Sequence, residues 1–257
     1  MPVTATPTPG FKVILEKPSA SNPIGIPAFP GYTTSGGNNW LTCLSKTPSP
    51  ALLSYNFANG GAITSDELLG PFEPRVPSFV DQILTFTTHL APRPSYARWT
   101  SADFLFGVWI CINDVGNGWH LANWTTLAEA ITSTYITQVS TLYWTVTGIS
   151  SPIELTPYNV AETTDSQKAI AESVVRYNTL LIAALKTFAE NKTDVTTWIV
   201  DTAPVFHAAK ANPIAYGAPR ATCWSEDGAS CLWYNTYHPG QAIQKLVGEA
   251  VAREVEI

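Results

Sequence analysis

The chain is short of charge. Only 13% of its 257 residues are Asp, Glu, Lys or Arg, about half the usual share. Its 14 Lys and Arg residues are outnumbered by 20 Asp and Glu, which gives a net charge of −6. No basic stripe is available to neutralise phosphates, so we predict that the chain does not bind nucleic acid. It also lacks any run approaching twenty apolar residues and is therefore predicted not to span a membrane.

The first ten residues lack the apolar segment of a secretory signal peptide, since residues 1–10 are mostly Thr, Pro and Ala. We therefore expect either an intracellular protein or a sequence whose true start is missing. The low charge and the plentiful Trp, Thr and Ser are typical instead of an extracellular protein that handles neutral substrates such as sugars. Cys223 and Cys231 share a loop with Gly and Ser, which predicts a disulfide in an oxidising compartment, with two free thiols as the alternative.

Apolar periodicity predicts alternating strands and helices, and therefore an α/β fold with a parallel sheet. Strands are predicted at 52–58, 104–112 and 198–201, and helices at 80–89, 121–143, 165–191 and 241–254. The strand at 104–112 is a continuous apolar run, so it is expected to be buried on both faces. Residues 1–50 are rich in Pro, Gly and Asn and are predicted to be irregular. No repeat is visible, so residues 1–257 are predicted to form one domain.

The helix at 165–191 is the clearest of these elements. Its apolar residues recur at alternating steps of three and four, which predicts one buried face. The members of that face are Ile170, Val174, Tyr177, Leu181, Leu185 and Phe188.

Residues suited to acyl-transfer chemistry follow the predicted strands. Gly60-Gly61 follows the first strand, Asn113-Asp114 follows the second, and His238 precedes the last helix. Ligands of open α/β sheets bind beyond the carboxyl ends of the strands. A glycine N–H and an asparagine side-chain N–H would provide two donors for an oxyanion, and a histidine could act as the base. Taken singly, a Gly pair after a strand is usually a turn, and an Asn-Asp pair is usually a helix cap.

Several segments together resemble the fungal carbohydrate esterase family sixteen, secreted acetyl esterases of the SGNH (GDSL-type) hydrolase superfamily. The resemblance extends from about Phe11 to the last helix. The segments that carry it are 22–27 (NPIGIP), 29–33 (FPGYT), 35–37 (SGG), 55–58 (YNFA), 109–114 (WICIND) and 237–239 (YHP).

This resemblance implies a flavodoxin-like parallel sheet flanked by helices and the removal of acetyl groups from hemicellulose-derived sugars. It implies that no metal or organic cofactor is needed. We expect a monomer that acts on acetylated oligosaccharide or another small ester. Carried over by position, His238 is the base and Asn235 stands where the family has the acid. Gly61, with Gly60 as its neighbour, and Asn113 are the oxyanion donors.

The sequence departs from the family pattern at the nucleophile and at the acid. The Gly-Asp-Ser block should lie just before Pro9, but its serine would fall at Ala5, and no Gly-Asp-Ser occurs in the chain. The sequence around Thr4 and Thr6 does not resemble the tight strand-to-helix turn that presents such a hydroxyl, so neither is expected to replace the serine. Asn235 cannot stabilise an imidazolium and is expected to favour the wrong histidine tautomer.

Further departures concern the sheet. Cys111 stands where the family usually has glycine, and its bulk is expected to press on the turn that aims Asn113. The strand that should follow residue 144 looks reduced to 146–149, so the fourth strand is predicted to be missing. The first strand is predicted to be missing as well, with 1–10 an irregular or replaced N-terminus. These features favour an incomplete or degenerate copy.

Two functions therefore stay open: an acetyl esterase, and a homologue that binds oligosaccharide without cleaving it. Most of the tryptophans are expected to be core residues. Stacking on sugar rings is the alternative for Trp40, Trp119, Trp124 and Trp233, and first of all for Trp40 and Trp119. Other polar residues have plainer interpretations. Asp201 is expected to cap a segment, and Asp66-Glu67 to begin a helix. His89, His120 and His207 lack metal-ligand spacing and are expected to be surface or packing residues.

Overall fold

The computed structural model describes residue 12 and residues 16–46, 52–71, 73–100, 103–142, 144–148, 152–192 and 195–256. The protein has a mixed α/β architecture. Its elements in chain order are α1 (Trp40–Lys46), α2 (Phe79–His89), β1 (Phe106–Val108), α3 (Ile112–Gly118), α4 (Trp124–Val139), β2 (Trp144–Gly148), α5 (Pro157–Val160), α6 (Thr164–Asn191), β3 (Thr196–Val200), α7 (Ala203–Ala211) and α8 (Gln241–Val255). Short 3-10 turns lie at Ile153–Leu155 and Pro213–Tyr216. No helix of the described residues is long and apolar enough to cross a bilayer.

The chain divides into two compact units. Among the described residues, the first unit comprises Phe57–Ile153 and Thr164–Asp201, and the second is drawn from Thr8–Asn56, Glu154–Thr163 and Thr202–Ile257. The prediction of a single domain stays a prediction.

A parallel sheet with the strand order β1-β2-β3 lies in the first unit. Phe106 pairs with Thr145 at one edge of β2, and Thr145 pairs with Thr197 on the other side. Parallel neighbours need crossover connections, and here α3 with α4 and then α6 provide them. The predicted α/β class is therefore confirmed.

The helices of the first unit bury the faces that their sequence periodicity indicates. All six predicted residues of α6 are buried, and α6 packs against α3, α4 and β3. The N-terminus of α2 is fixed by a capping box, in which Ser78 and Asp81 each accept a hydrogen bond from the other's backbone N–H. This cap holds the start of α2, whose first N–H groups reach the loop that follows Gly61.

In the second unit, α1 and α7 both pack on α8. Gly248 of α8 makes this close approach possible, because a Cβ there would lie 3.0 Å from both Cys43 Cβ and the Trp40 carbonyl oxygen. The core of this unit includes Phe206, Leu232, Trp233, Ile243 and Val247, which are all nearly or fully buried. The helix predicted at 241–254 is confirmed as α8, which extends one residue further, to Val255.

Three predicted elements differ from the structure. Residues 52–58 form no strand, because Ser54 N–H donates to the carbonyl of Pro23 in an irregular segment (2.8 Å) and Leu52 and Leu53 are exposed. Residues 1–50 are not wholly irregular, since α1 begins at Trp40. The strand predicted at 104–112 is limited to β1 and is not buried on both faces, because Gly107 is exposed.

The prediction that the fourth strand is missing is wrong. Trp144–Gly148 forms β2, the central strand of the sheet, paired along its length with β3 and over three residues with β1. Its short TVT core is rich in residues that favour strands. The predicted loss of the first strand falls on residues 1–10, which lie outside the described residues.

Candidate active site

His238 lies in a loop of the second unit, just before α8, and backbone hydrogen bonds within the loop hold its two sides together. The N–H of Tyr234 donates to the carbonyl of His238, and the N–H of Gly240 donates to the carbonyl of Leu232, both at 2.8 Å. Trp233 is fully buried beneath this loop, and its indole N–H donates to the carbonyl of Ala221 (2.9 Å). The loop therefore presents the histidine from a well-anchored backbone.

A disulfide between Cys223 and Cys231 closes the adjoining segment, which confirms the predicted pairing. Inside this segment, the carboxylate of Asp227 accepts hydrogen bonds from the N–H groups of Ala229 and Ser230 and from the Ser230 hydroxyl. These bonds lower the pKa of Asp227 to about 2. The carboxylate therefore stays charged and organises the turn within the disulfide loop.

Asn235 contacts His238 in the way that the family's acid is expected to. Its Oδ1 lies 3.1 Å from Nδ1 of His238 and also accepts the backbone N–H groups of Tyr237 (2.9 Å) and His238 (2.8 Å). The Asn235 side chain is 7% exposed, so water does not compete for these bonds. The structure thus brings the two predicted residues together.

These contacts fix the histidine tautomer. Two backbone N–H groups point at the same Asn235 atom, and only an oxygen can accept them, so the amide is held with its oxygen toward the imidazole. Nδ1 of His238 must then carry the proton, and Nε2 keeps its lone pair. The expectation that Asn235 favours the wrong tautomer is therefore incorrect. In serine proteases the Asp-to-Asn change lowers turnover about ten-thousandfold through that wrong tautomer.

The imidazole of His238 is uncharged at neutral pH. Burial disfavours the imidazolium and lowers the pKa of His238 to about 4. The ring lies against Tyr237, with centroids 5.9 Å apart, and Tyr237 in turn lies 6.0 Å from Tyr158. The same burial, together with the neighbouring Tyr158, raises the pKa of Tyr237 to about 12. Asn235 is uncharged, so it adds no negative charge that would offset this effect of burial on the pKa of His238.

Gly61 and Asn113, the predicted oxyanion residues, belong to neighbouring segments of the first unit. Gly61 adopts φ +81°, a left-handed conformation that glycine takes without strain. The side-chain Nδ2 of Asn113 donates to the carbonyl of Ala62 at 2.9 Å, which joins the start of α3 to the loop after Gly61. One N–H of the Asn113 amide fixes its rotamer by this bond, and the amide group carries a second.

Asp114 is the residue that the sequence analysis missed at this site. Its carboxylate is fully buried, and both oxygens accept the backbone N–H of Thr64, at 3.0 and 3.1 Å. Burial raises the pKa of Asp114 to about 6, while the bonds from Thr64 act in the opposite direction. A strand-end carboxylate next to a predicted oxyanion asparagine was the available sequence signal.

Cys111 occupies the turn into α3 in a left-handed conformation, with φ +80°. A non-glycine residue is strained there, which explains why glycine suits this position. Its thiol is buried between two hydroxyls: Thr64 Oγ1 lies 3.3 Å from the sulfur, and the Tyr177 hydroxyl donates to it at 2.7 Å. The sequence led us to expect that the bulk of Cys111 presses on this turn. In the structure its sulfur makes these two polar contacts.

The other residues that the sequence singled out differ in their burial. Trp124 and Trp233 are buried core residues, Trp119 and Trp40 are half-buried, and Trp224, which the sequence did not single out, is 52% exposed. Asp66 and Glu67 lie in a turn and not at a helix start. Ala5, Thr4 and Thr6 lie outside the described residues. Among the described residues, no group of three or more His, Cys, Asp or Glu side chains is placed to hold a metal ion.

Comparison with known proteins supplies the family. No family model matches the sequence. The chain is 45% identical over 251 residues to an acetylesterase of Thermothelomyces thermophilus, an alignment that covers 95% of this chain and 83% of that protein. Identity at this level over nearly the whole chain shows common descent and a shared fold. The chain belongs to the acetylesterase family.

Proposed function

We propose that the protein is a carboxylic ester hydrolase of the SGNH type that removes acetyl groups from hemicellulose-derived carbohydrate. One observation carries the proposal: Asn235 Oδ1 holds the proton of His238 on Nδ1 and leaves Nε2 free to act as a base. The name of the 45% identical relative supports the same reaction. The disulfide between Cys223 and Cys231 supports secretion, because such bonds persist in oxidising compartments.

In the proposed reaction, Nε2 of His238 accepts a proton from a water molecule as the water oxygen attacks the acetyl carbonyl. The negative charge that develops on the carbonyl oxygen is stabilised by the N–H of Gly61 and the side-chain N–H of Asn113. The bond to the sugar oxygen then breaks, His238 gives the proton to that leaving oxygen, and acetate is released. No metal or organic cofactor takes part in this scheme.

Turnover by the purified chain tests the proposal. An acetylated aryl ester and an acetylated xylo-oligosaccharide serve as substrates, and acetate release is measured. We expect turnover that His238→Ala abolishes and that the matched variant His207→Ala keeps, since His207 is an exposed residue of α7. Turnover that survives His238→Ala would rule out the base assigned here.

A second function is favoured by the absence of a Gly-Asp-Ser block, whose serine would fall at Ala5. This alternative is a homologue that binds oligosaccharide without hydrolysing it. A shallow cleft within the second unit supports it, since it combines the aromatic rings of Tyr32 and Tyr55 with the amides of Asn39 and Asn56. Flat apolar faces with a few amides suit a sugar ring, which has a C–H face and a hydroxyl rim.

The two functions give different results in a binding experiment. Calorimetric titration with a xylo-oligosaccharide would show binding without acetate release if the second function holds. Tyr32→Ala should then weaken binding, because Tyr32 is 64% exposed at the cleft, while Tyr216→Ala, outside the cleft, should not. Hydrolysis that depends on His238 would favour the first function.

A further inference from the structure

The loop after Gly61 is bonded to two helices through the backbone of Ala62, Ile63 and Thr64. The carbonyl of Ala62 accepts the Asn113 side chain, and the carbonyls of Ile63 and Thr64 accept N–H groups from the start of α2, at 2.8 and 3.3 Å. The N–H of Thr64 has the carboxylate of Asp114 as its acceptor. The loop is thus attached to the first turns of two helices.

We propose that Asp114 is a positioning residue that holds the loop carrying Gly61 in register with Asn113, so that the two oxyanion donors keep a fixed separation. The inference rests on the proposed function, because it concerns the donors of the same site. Asn113 and Asp114 are consecutive on α3 and bond the loop at Ala62 and Thr64. Any shift of α3 therefore moves both attachments together.

The burial of Asp114 argues that its carboxylate has a specific purpose. None of the ion pairs formed by the described residues involves Asp114, so its charge is buried without a cation. A buried charge of this kind lowers stability, and an apolar residue of similar size would be better tolerated for packing alone. A carboxylate instead offers two oxygens to one N–H, which fixes the position of the donor as well as its distance.

The groups around Asp114 make the attachment stiff. Thr64 is held a second time through its hydroxyl, which lies 3.3 Å from the sulfur of Cys111. That sulfur is in turn held by the hydroxyl of Tyr177, from the buried face of α6. The loop is therefore connected through Thr64 to α3 and α6, two of the helices that connect the strands of the sheet in the first unit.

Amide NMR of the intact protein tests the proposal without requiring turnover. In Asp114→Ala, we expect the Thr64 amide to exchange with solvent roughly tenfold faster or more, relative to amides of α4, because a charged hydrogen bond is lost. The Gly61 N–H and the Asn113 side-chain signals should shift with it. In Asp114→Asn, which keeps an oxygen acceptor, these shifts should be smaller, so this variant serves if the alanine variant does not fold.

A pH titration adds a readout that a purely structural role would not give. The Thr64 and Gly61 signals should titrate together with a midpoint near 6 in the native protein, and this transition should vanish in Asp114→Asn. The matched control is Asp103→Asn, which removes another carboxylate that accepts a backbone N–H in the same unit, that of Thr100. The control should leave the Gly61 and Asn113 signals unchanged.

The proposal is overturned if Asp114→Asn lowers global stability while the Gly61 and Asn113 signals keep their native positions and pH dependence. Failure of the proposed function looks different. In that case the chain hydrolyses no ester, although the loss of Asp114 still moves both donor signals.

Discussion

Replacing Asn235 by Asp should raise the pKa of His238 by about 2 units, from about 4 toward about 6. Oδ1 lies 3.1 Å from Nδ1, and the aspartate would keep both backbone N–H donors, from Tyr237 and His238. The change therefore adds a negative charge without altering the contacts. A shift of 2 units corresponds to about 3 kcal/mol of added stabilisation of the imidazolium.

The assay is an NMR titration of the His238 ring in the native protein and in Asn235→Asp. The 15N spectrum of the native ring should show the proton on Nδ1 at neutral pH, and the midpoint should rise in the variant. Asn212→Asp is the matched control, because it adds the same charge at an exposed position after α7 and should leave the midpoint in place. A native ring protonated on Nε2, or a midpoint that Asn235→Asp does not raise, would refute the reasoning.

Four other predictions concern stability, measured by urea unfolding. Between pH 4 and 6 Asp114 is protonated in the folded protein but ionised in the unfolded chain. Its contribution to the free energy of unfolding therefore falls by about 3 kcal/mol as the pH rises, and Asp114→Asn should remove this fall. Between pH 4 and 6.5 His238 is protonated in the unfolded chain but neutral in the folded protein. Its contribution to the free energy of unfolding should therefore rise by a similar amount as the pH rises, and His238→Gln should remove this rise. Cys111→Gly should lose less stability than Cys111→Ala, since both strip Tyr177 of its acceptor but only glycine relieves the left-handed strain. Replacing Cys223 and Cys231 by Ser should cost about 2.5 kcal/mol, the loop-closure term for so short a loop. Equal slopes for native and variant proteins, or the reverse order of the two Cys111 variants, would contradict these accounts.

Apolar periodicity predicted the helices that bury one face, because that pattern lies within the helix itself. The apolar stripe from Ile170 to Phe188 needs only one neighbour to cover it, and all its members are buried. The disulfide was likewise predictable from proximity along the chain. Strands were harder, because pairing depends on distant segments: 52–58 has strand-like composition but no ladder, while Trp144–Gly148 is the centre of the sheet.

The residues of the site could be predicted from the sequence, but the hydrogen bonds between them could not. Asn235 and His238 were identifiable from their spacing, whereas the orientation of the amide depends on where the N–H groups of Tyr237 and His238 point. Asp114 was expected to be an ordinary cap beside Asn113. Its acceptor role depends on Thr64, fifty residues away, and no local pattern encodes such a contact.

His238 therefore has the hydrogen bonding that a general base needs but lacks a neighbouring negative charge. With a pKa of about 4, protonating His238 at pH 7 costs about 4 kcal/mol, and a general base is most effective when its pKa lies near the working pH. A carboxylate in place of the Asn235 amide would reduce that cost without moving an atom of the loop. At His238, the uncharged amide of Asn235 is thus the feature that works against a general base, since the tautomer and the anchored loop both suit one.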